Sequence, residues 1–264
     1  MARHIPGPLY YEQFGTSGTP MLFLHSTPDD HRIWLYQTAH FSAWYRTIAV
    51  DFAGYGRSPA PQPGVTIADQ AAACWEIVDR FTSAGVIIHG NSMGAQVAKH
   101  MASQHPERSL AVIVSGTGYP PPREPMLRLI KRYSAEGLPV RHEQILDHFS
   151  EAGKAQPILQ HYARMVVELD NLSTLGSIIA MNEALANPPP EEFYRKLSAP
   201  FLIIGGTLDR SYSGAMEMQK VIKGSEFRSI EGAGHACMIE QPWAYDAHCI
   251  EFLSKLGLFP GGER

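Results

Sequence analysis

The stretch that most constrains the fold of this chain is Val86–Ala95. A β-branched apolar run, Val86-Ile87-Ile88, leads through His89 into Gly90-Asn91-Ser92-Met93-Gly94, and the helix-compatible segment Ala95–Ala102 follows at once. A strand that must become a helix within so few residues puts the serine at the apex in a strained backbone conformation. Gly90 and Gly94 remove the Cβ atoms that would otherwise collide as the two elements close on each other. The Ser92 hydroxyl then stands exposed above the end of the strand, where a nucleophile belongs.

The rest of the chain repeats the strand-then-helix pattern. Leu9–Phe14 has strand character and stops at the turn-rich Gly15–Pro20. Met21–Leu24, Thr47–Val50, Leu110–Val114 and Phe201–Ile204 are short continuous apolar runs, as expected of strands buried on both faces of a parallel sheet. Phe227–Ile230 is a further short strand. Between them, Arg32–Phe41 and Met216–Ile222 read as helices. Ile67–Thr82 repeats apolar residues three and four apart (Ile67, Ala71, Cys74, Trp75, Val78, Phe81), which predicts a helix with one buried face. A last helix follows Pro242 with Trp243, Ala247, Ile250 and Leu253 facing inward. The expected class is α/β, a mostly parallel central sheet with helices on both faces.

One segment breaks the alternation. Tyr119–Pro125 is proline-rich, and from Met126 to about Leu185 the sequence is helical without a convincing strand. It closes at Asn187-Pro188-Pro189-Pro190, with Glu191 and Glu192 in the first turn of a short helix, where carboxylates suit the helix dipole. The expected organisation is a core over residues 1–118 and 198–264 with an inserted α-helical cap over 119–197.

Composition removes several function classes. The net charge of −4 is spread over 264 residues with no basic run dense enough to follow a phosphate backbone, so nucleic acid is not an expected partner. The first nine residues lack the apolar stretch of a signal peptide, and no apolar run approaches the roughly 20 residues that cross a bilayer. A soluble, cytoplasmic protein is expected, with no membrane partner. Cys74, Cys237 and Cys249 form no C-x-x-C pair, which suits a reducing compartment. The twelve histidines include no H-x-x-x-H pair beside a carboxylate, so no metal is expected and most are expected at the surface. Gly54-x-Gly56 lacks the phosphate-cradling continuation, and no cofactor motif survives. Asp29-Asp30-His31 reads as a solvated cap of the following helix.

In such a sheet reactive groups collect on loops leaving the carboxyl ends of strands. The loops after Leu24, Ile88, Ile204 and Ile230 carry His25–Pro28, Ser92, Asp209 and His235. Each residue taken alone has a plainer explanation: an aspartate at a strand end is often a turn residue. Nucleophile, acid and base nevertheless occur in the order Ser, Asp, His, each just beyond an expected strand.

On these residues the whole chain resembles the α/β-hydrolase superfamily. Gly90–Gly94 is similar to that family's nucleophile elbow, Asp51-x-x-Gly54-x-Gly56-x-Ser58 to its loop after the preceding strand, and Gly232-Ala233-Gly234-His235 to its histidine loop. The resemblance implies a catalytic triad in which His235 takes the Ser92 proton and Asp209 orients and stabilises the imidazole, as the chemistry of a serine nucleophile also requires. It implies an oxyanion hole from the backbone N–H of Met93 and a donor on the loop His25-Ser26-Thr27. Thr27 matches the donor position, Ser26 stands where the family usually has glycine, and Pro28 has no N–H to give.

The expected function is a serine hydrolase cleaving a carboxylic ester or lactone through an acyl-serine intermediate. The expected substrate is a small apolar ester or lactone held by the cap. His25, Asn91, Ala236, Cys237 and, from the cap, Met126, Tyr162, Met165 and Met181 are the candidates to line the pocket, although each cap side chain would equally serve as core. Three alternatives remain, one of them a lyase on the same scaffold, since fold does not fix reaction. The elbow also resembles that of carbon–carbon bond hydrolases of the meta-cleavage-product type, which typically place tryptophan after the base where this chain has Ala236. A ligand receptor keeping the hydrolase fold with vestigial turnover is the alternative from another class.

Overall fold

The computed structural model describes residues 4–121, 123–169 and 173–260; Pro122 of the proline-rich break lies outside them. Among these residues seven strands form one sheet in the order β1-β3-β2-β4-β5-β6-β7: β1 Tyr11–Phe14, β2 Pro20–Leu24, β3 Arg46–Val50, β4 Val86–Asn91, β5 Ser109–Ser115, β6 Phe201–Gly206 and β7 Glu226–Ile230. Only β1 runs antiparallel, against β3; the remaining pairs are parallel. Every residue of β2, β4 and β6 is buried, because a parallel sheet is covered on both faces by its own crossover helices.

The two-residue period of the strands divides the core in two. Leu22, Leu24, Ile48, Val50, Val86, Ile88, Val112, Val114 and Ile203 face one side, where α2 Ile67–Val78, α3 Met93–Gln104 and α10 Tyr212–Val221 pack. Met21, Phe23, Ala49, Ile87, Ala111, Ile113, Leu202 and Ile204 face the other, against α1 Leu35–Phe41, α11 Cys237–Glu240 and α12 Pro242–Lys255. Among the described residues between β5 and β6 lie six helices: α4 Arg123–Glu136, α5 Val140–Leu146, α6 Glu151–Lys154, α7 Pro157–Leu169, α8 Leu175–Leu185 and α9 Glu191–Arg195. The described residues of this insertion form no separate core cluster. Tyr133, Val140, Ile178 and Met181 join the first cluster, and Ile145, Phe149, Leu159, Tyr162 and Val166 join the second. No helix among the described residues is long and apolar enough to cross a membrane.

Three sequence expectations are corrected. The inward stripe of α12 is Tyr245, Cys249, Phe252 and the expected Leu253, with the expected Ile250 half-buried against the same core, whereas Trp243 is 70% exposed and Ala247 faces solvent. The buried set still follows helical spacing, but it is rotated from the expected one, and Trp243 instead packs edgewise on Tyr36 over the helix start. Helix α2 stops at Val78, since Arg80 and Phe81 bond to carbonyls three residues back and tighten the chain into a turn towards β4. The histidines are not mostly at the surface: His25, His89 and His148 are buried and most others half-buried, many of them stacked on aromatic rings.

Candidate active site

Ser92 has φ +53° and ψ −110°, and it is the only non-glycine residue with positive φ among those described. Such a conformation costs on the order of 1–3 kcal/mol and persists only where its surroundings fix it. Here the fixing is visible. Ser92 N–H donates to the Ser115 carbonyl (2.9 Å), and the N–H groups of Ala95 and Gln96 close the first turn of α3 on the Ser92 carbonyl. A Cβ on Gly90 would come within 2.4 Å of the Gly94 carbonyl oxygen, and one on Gly94 within 2.0 Å of the Leu24 carbonyl oxygen. Both glycines are therefore required by close approach, as their spacing suggests.

Ser92, Met93, Thr27, His235 and Met126 open onto one cavity of about 1170 Å³ between the sheet and the helical insertion. His235 Nδ1 lies 3.0 Å from Asp209 Oδ1, and that carboxylate also accepts from Ser211 N–H (3.0 Å) and Ser211 Oγ–H (2.5 Å). Burial alone would raise the Asp209 carboxyl. The His235 charge and the hydrogen bonds from His235 and Ser211 outweigh it and hold the group well below the usual carboxylate range. Asn91 does not line the cavity; its Nδ2 donates to Ser115 Oγ and to the His235 carbonyl, which ties the histidine loop to the end of β4. Glu240 accepts from the N–H groups of Gly234 (2.9 Å) and Ser150 (3.1 Å), joining the same loop to the insertion.

The loop after β2 departs from what its sequence suggests. Asp29 and Asp30 are buried rather than solvated. Asp30 does cap the following helical turn, accepting from Arg32 N–H (3.0 Å), and also pairs with the Arg32 guanidinium. Asp29 accepts from Ser26 Oγ–H (2.5 Å) and Tyr162 O–H (2.9 Å) and lies 3.3 Å from His148 Nδ1. The serine in place of glycine is thus a tie, holding the backbone that presents Thr27. Gln144 donates to the Thr27 carbonyl and Arg141 to the Pro28 carbonyl, so the insertion clasps this loop as well. Asp29→Ala would leave the buried hydroxyls of Ser26 and Tyr162 without their acceptor. A loss of about 3 kcal/mol is expected, read as a fall in Tm of about 10 °C. A Tm within a degree of wild type would show that the loop does not depend on the tie.

Several expected pocket residues lie elsewhere. Ser26 is committed to Asp29, and His25 is buried with Nε2 accepting from Phe52 N–H. Tyr162 points its hydroxyl at Asp29, Met181 is buried against Gln70, and Met165 packs partly buried in the second core cluster. Ala236 and Cys237 are buried behind the histidine loop, where burial pushes the Cys237 thiol far above its ordinary value. Asp30, His31 and Asp51 bring ligand-type atoms within 4.8 Å of one another, but these atoms are already engaged by Arg32, the N–H groups of His31 and Arg57, and the His31–Asp51 bond.

The sequence reading missed Gln96, Thr117, Gln144 and His148 as cavity residues. Gln96 had a signal, since it lies one helical turn after Ser92 on the same face. The His148 ring lies 4.9 Å from that of His235, yet comes from the far side of the insertion, where nothing local marks it.

Residues 21–245 match the model of the Alpha/beta hydrolase family. The AB hydrolase superfamily protein YisY of Bacillus subtilis is 26% identical over 254 residues, 88% of this chain and 90% of that protein. Among solved structures, a thermophilic esterase from Thermogutta terrifontis superposes with a TM-score of 0.79 at 26% identity, covering 94% of this chain and 93% of that one. The enol-lactonase from Burkholderia xenovorans superposes with a TM-score of 0.83 at 21% identity over 95% and 98% of the two chains, a likeness of fold.

Proposed function

The chain belongs to the alpha/beta hydrolase family, and from that premise we propose that it is a serine hydrolase acting on a carboxylic ester or lactone. The observation that carries this reading is the strained Ser92 opening onto the same cavity as His235, with Asp209 bonded to the far nitrogen of that imidazole. The bond to Asp209 fixes the tautomer with its proton on Nδ1, leaving Nε2 free to accept.

In the proposed reaction Ser92 Oγ attacks the ester carbonyl and His235 Nε2 takes its proton. The resulting oxyanion is held by the N–H groups of Met93 and Thr27, each donor of this kind being worth about 3 kcal/mol. Collapse of the tetrahedral intermediate expels the alcohol, which leaves with the proton from His235. Water deprotonated by His235 then releases the acid from Ser92 by the reverse sequence. The helical insertion roofs the cavity in which the acyl-enzyme would sit. The esterase among the similar structures is in keeping with an ester substrate.

The test is turnover across aryl esters, lactones and dienoate ring-fission products, together with Asp209→Asn. Esters or lactones should be the substrates cleaved, and Asp209→Asn should lower kcat by about 10⁴-fold, because the amide would favour the wrong imidazole tautomer. Cleavage of the dienoates alone would replace this reading with carbon–carbon hydrolysis. Failure of wild type to cleave any of them or to react with a fluorophosphonate would favour a ligand receptor.

A further inference from the structure

Ser92, Gln96 and Lys99 follow one another at i, i+4 and i+7 on one face of α3. Opposite them stands Thr117, just beyond β5, which lines the cavity together with Gln96 and is only 4% exposed. Thr117 Oγ accepts from Gln96 Nε2–H (3.1 Å) and from Lys99 Nζ–H (3.1 Å). A hydroxyl has two acceptor positions and one proton. Both acceptor positions are filled, and among the described residues no acceptor takes the proton. Turning the Gln96 amide over would only move the spare donor from Thr117 to the Gln96 side chain, which lines the same wall.

Lys99 reinforces the point. Its ammonium is fully buried, and its partners are Thr117, Met218 Sδ (3.6 Å) and the Tyr194 ring (5.4 Å), with no carboxylate paired to it among the described residues. Burial pulls it down to about 7. In its ammonium form Lys99 donates to Thr117, which polarises that hydroxyl and strengthens its outward donation. Because Thr117 and Gln96 line the cavity, a ligand acceptor seated against this wall can take the Thr117 proton.

We propose that Thr117 and Gln96 form a second polar subsite about one helical turn from Ser92, and that the substrate carries a hydrogen-bond-accepting oxygen, a carbonyl or a carboxylate, at that distance from its scissile carbonyl. The subsite deepens the hydrolase reading and rests on it. It makes the preferred acyl group a keto acid or dicarboxylic acid residue, where composition and cap alone suggest a purely apolar one.

The test compares three p-nitrophenyl esters of similar length: pentanoate, levulinate with a neutral ketone, and the glutarate hemiester with a carboxylate. Wild type should prefer levulinate, the hemiester or both over pentanoate by about tenfold in kcat/KM, expressed mainly in KM. Thr117→Val should abolish the preference, and Thr117→Ser should keep it. Preference for the hemiester alone would identify a carboxylate as the acceptor, and equal preference would identify any acceptor oxygen. Absence of a preference in wild type, or its survival in both Thr117→Val and Gln96→Leu, overturns the proposal. Calorimetric binding of levulinate, glutarate and pentanoate to Ser92→Ala separates the two readings. A protein that cleaves no ester fails as a hydrolase, while tighter binding of levulinate or glutarate than of pentanoate, lost on Thr117→Val, still supports the subsite.

Discussion

Replacing Ser92 by alanine is expected to lower turnover of a cleaved ester by about 10⁴-fold or more, with Tm unchanged within about a degree. The two halves of this expectation come from different physics. Chemically, no other hydroxyl sits at the apex between β4 and α3, so removing Oγ leaves His235 with no proton to take. Conformationally, alanine carries the same Cβ as serine at φ +53° and inherits the same strain, and Ser92 makes no side-chain cap to α3 that alanine would lose. Ser92→Gly should be equally inactive but more stable by about 1 kcal/mol, since glycine adopts positive φ without that strain. A fluorophosphonate should label wild type and neither variant. Near-normal turnover in Ser92→Ala would place the chemistry elsewhere in the molecule.

The parts of this site that could be read from the chain are those fixed by local geometry. The elbow is legible because a strand, a turn and a helix within ten residues admit few conformations, and Asp209 and His235 because each lies on the loop after a parallel strand, apolar β6 and the more polar β7, whose carboxyl ends face the same way. What escaped the sequence depends on contacts between distant segments. Asp29 reads as a solvated cap until Tyr162 and His148, from the insertion, are seen packed on it. Tyr162 has the composition of a pocket wall, but its hydroxyl is used by that same carboxylate. The orientation of α12 escaped because Trp243 and Ala247 have helical spacing too, and only the packing of Tyr245 and Cys249 into the second core shows which stripe is buried. Lys99 would be assigned to solvent on residue type alone, and it is buried because Tyr194, Met218 and Thr117 close around it.

The second large effect is expected from a single methyl group. Helix propensity alone predicts that Gly94→Ala, in the first turn of α3, stabilises by about 1 kcal/mol. The contact geometry predicts the opposite. The added Cβ would lie 2.0 Å from the Leu24 carbonyl oxygen and 2.8 Å from that of His25. Both are backbone atoms at the end of β2, so no rotamer change relieves the clash, and overpacking of this kind typically costs 1–3 kcal/mol or more. The clash wins, and a net loss of about 2 kcal/mol is expected, a fall in Tm of about 5 °C. The displaced segment leads directly into Ser26 and Thr27, while Met93 sits on the other side of the clash. The methyl therefore wedges apart the two N–H groups assigned to the oxyanion, and kcat should fall by about 10²-fold with KM little changed. Gly176→Ala in α8 is the matched control, because its Cβ would meet nothing closer than 3.9 Å and should leave both quantities at or above wild type. If Gly94→Ala instead matches Gly176→Ala in Tm and kcat, the close approach of α3 to the β2 loop is not what positions the oxyanion donors.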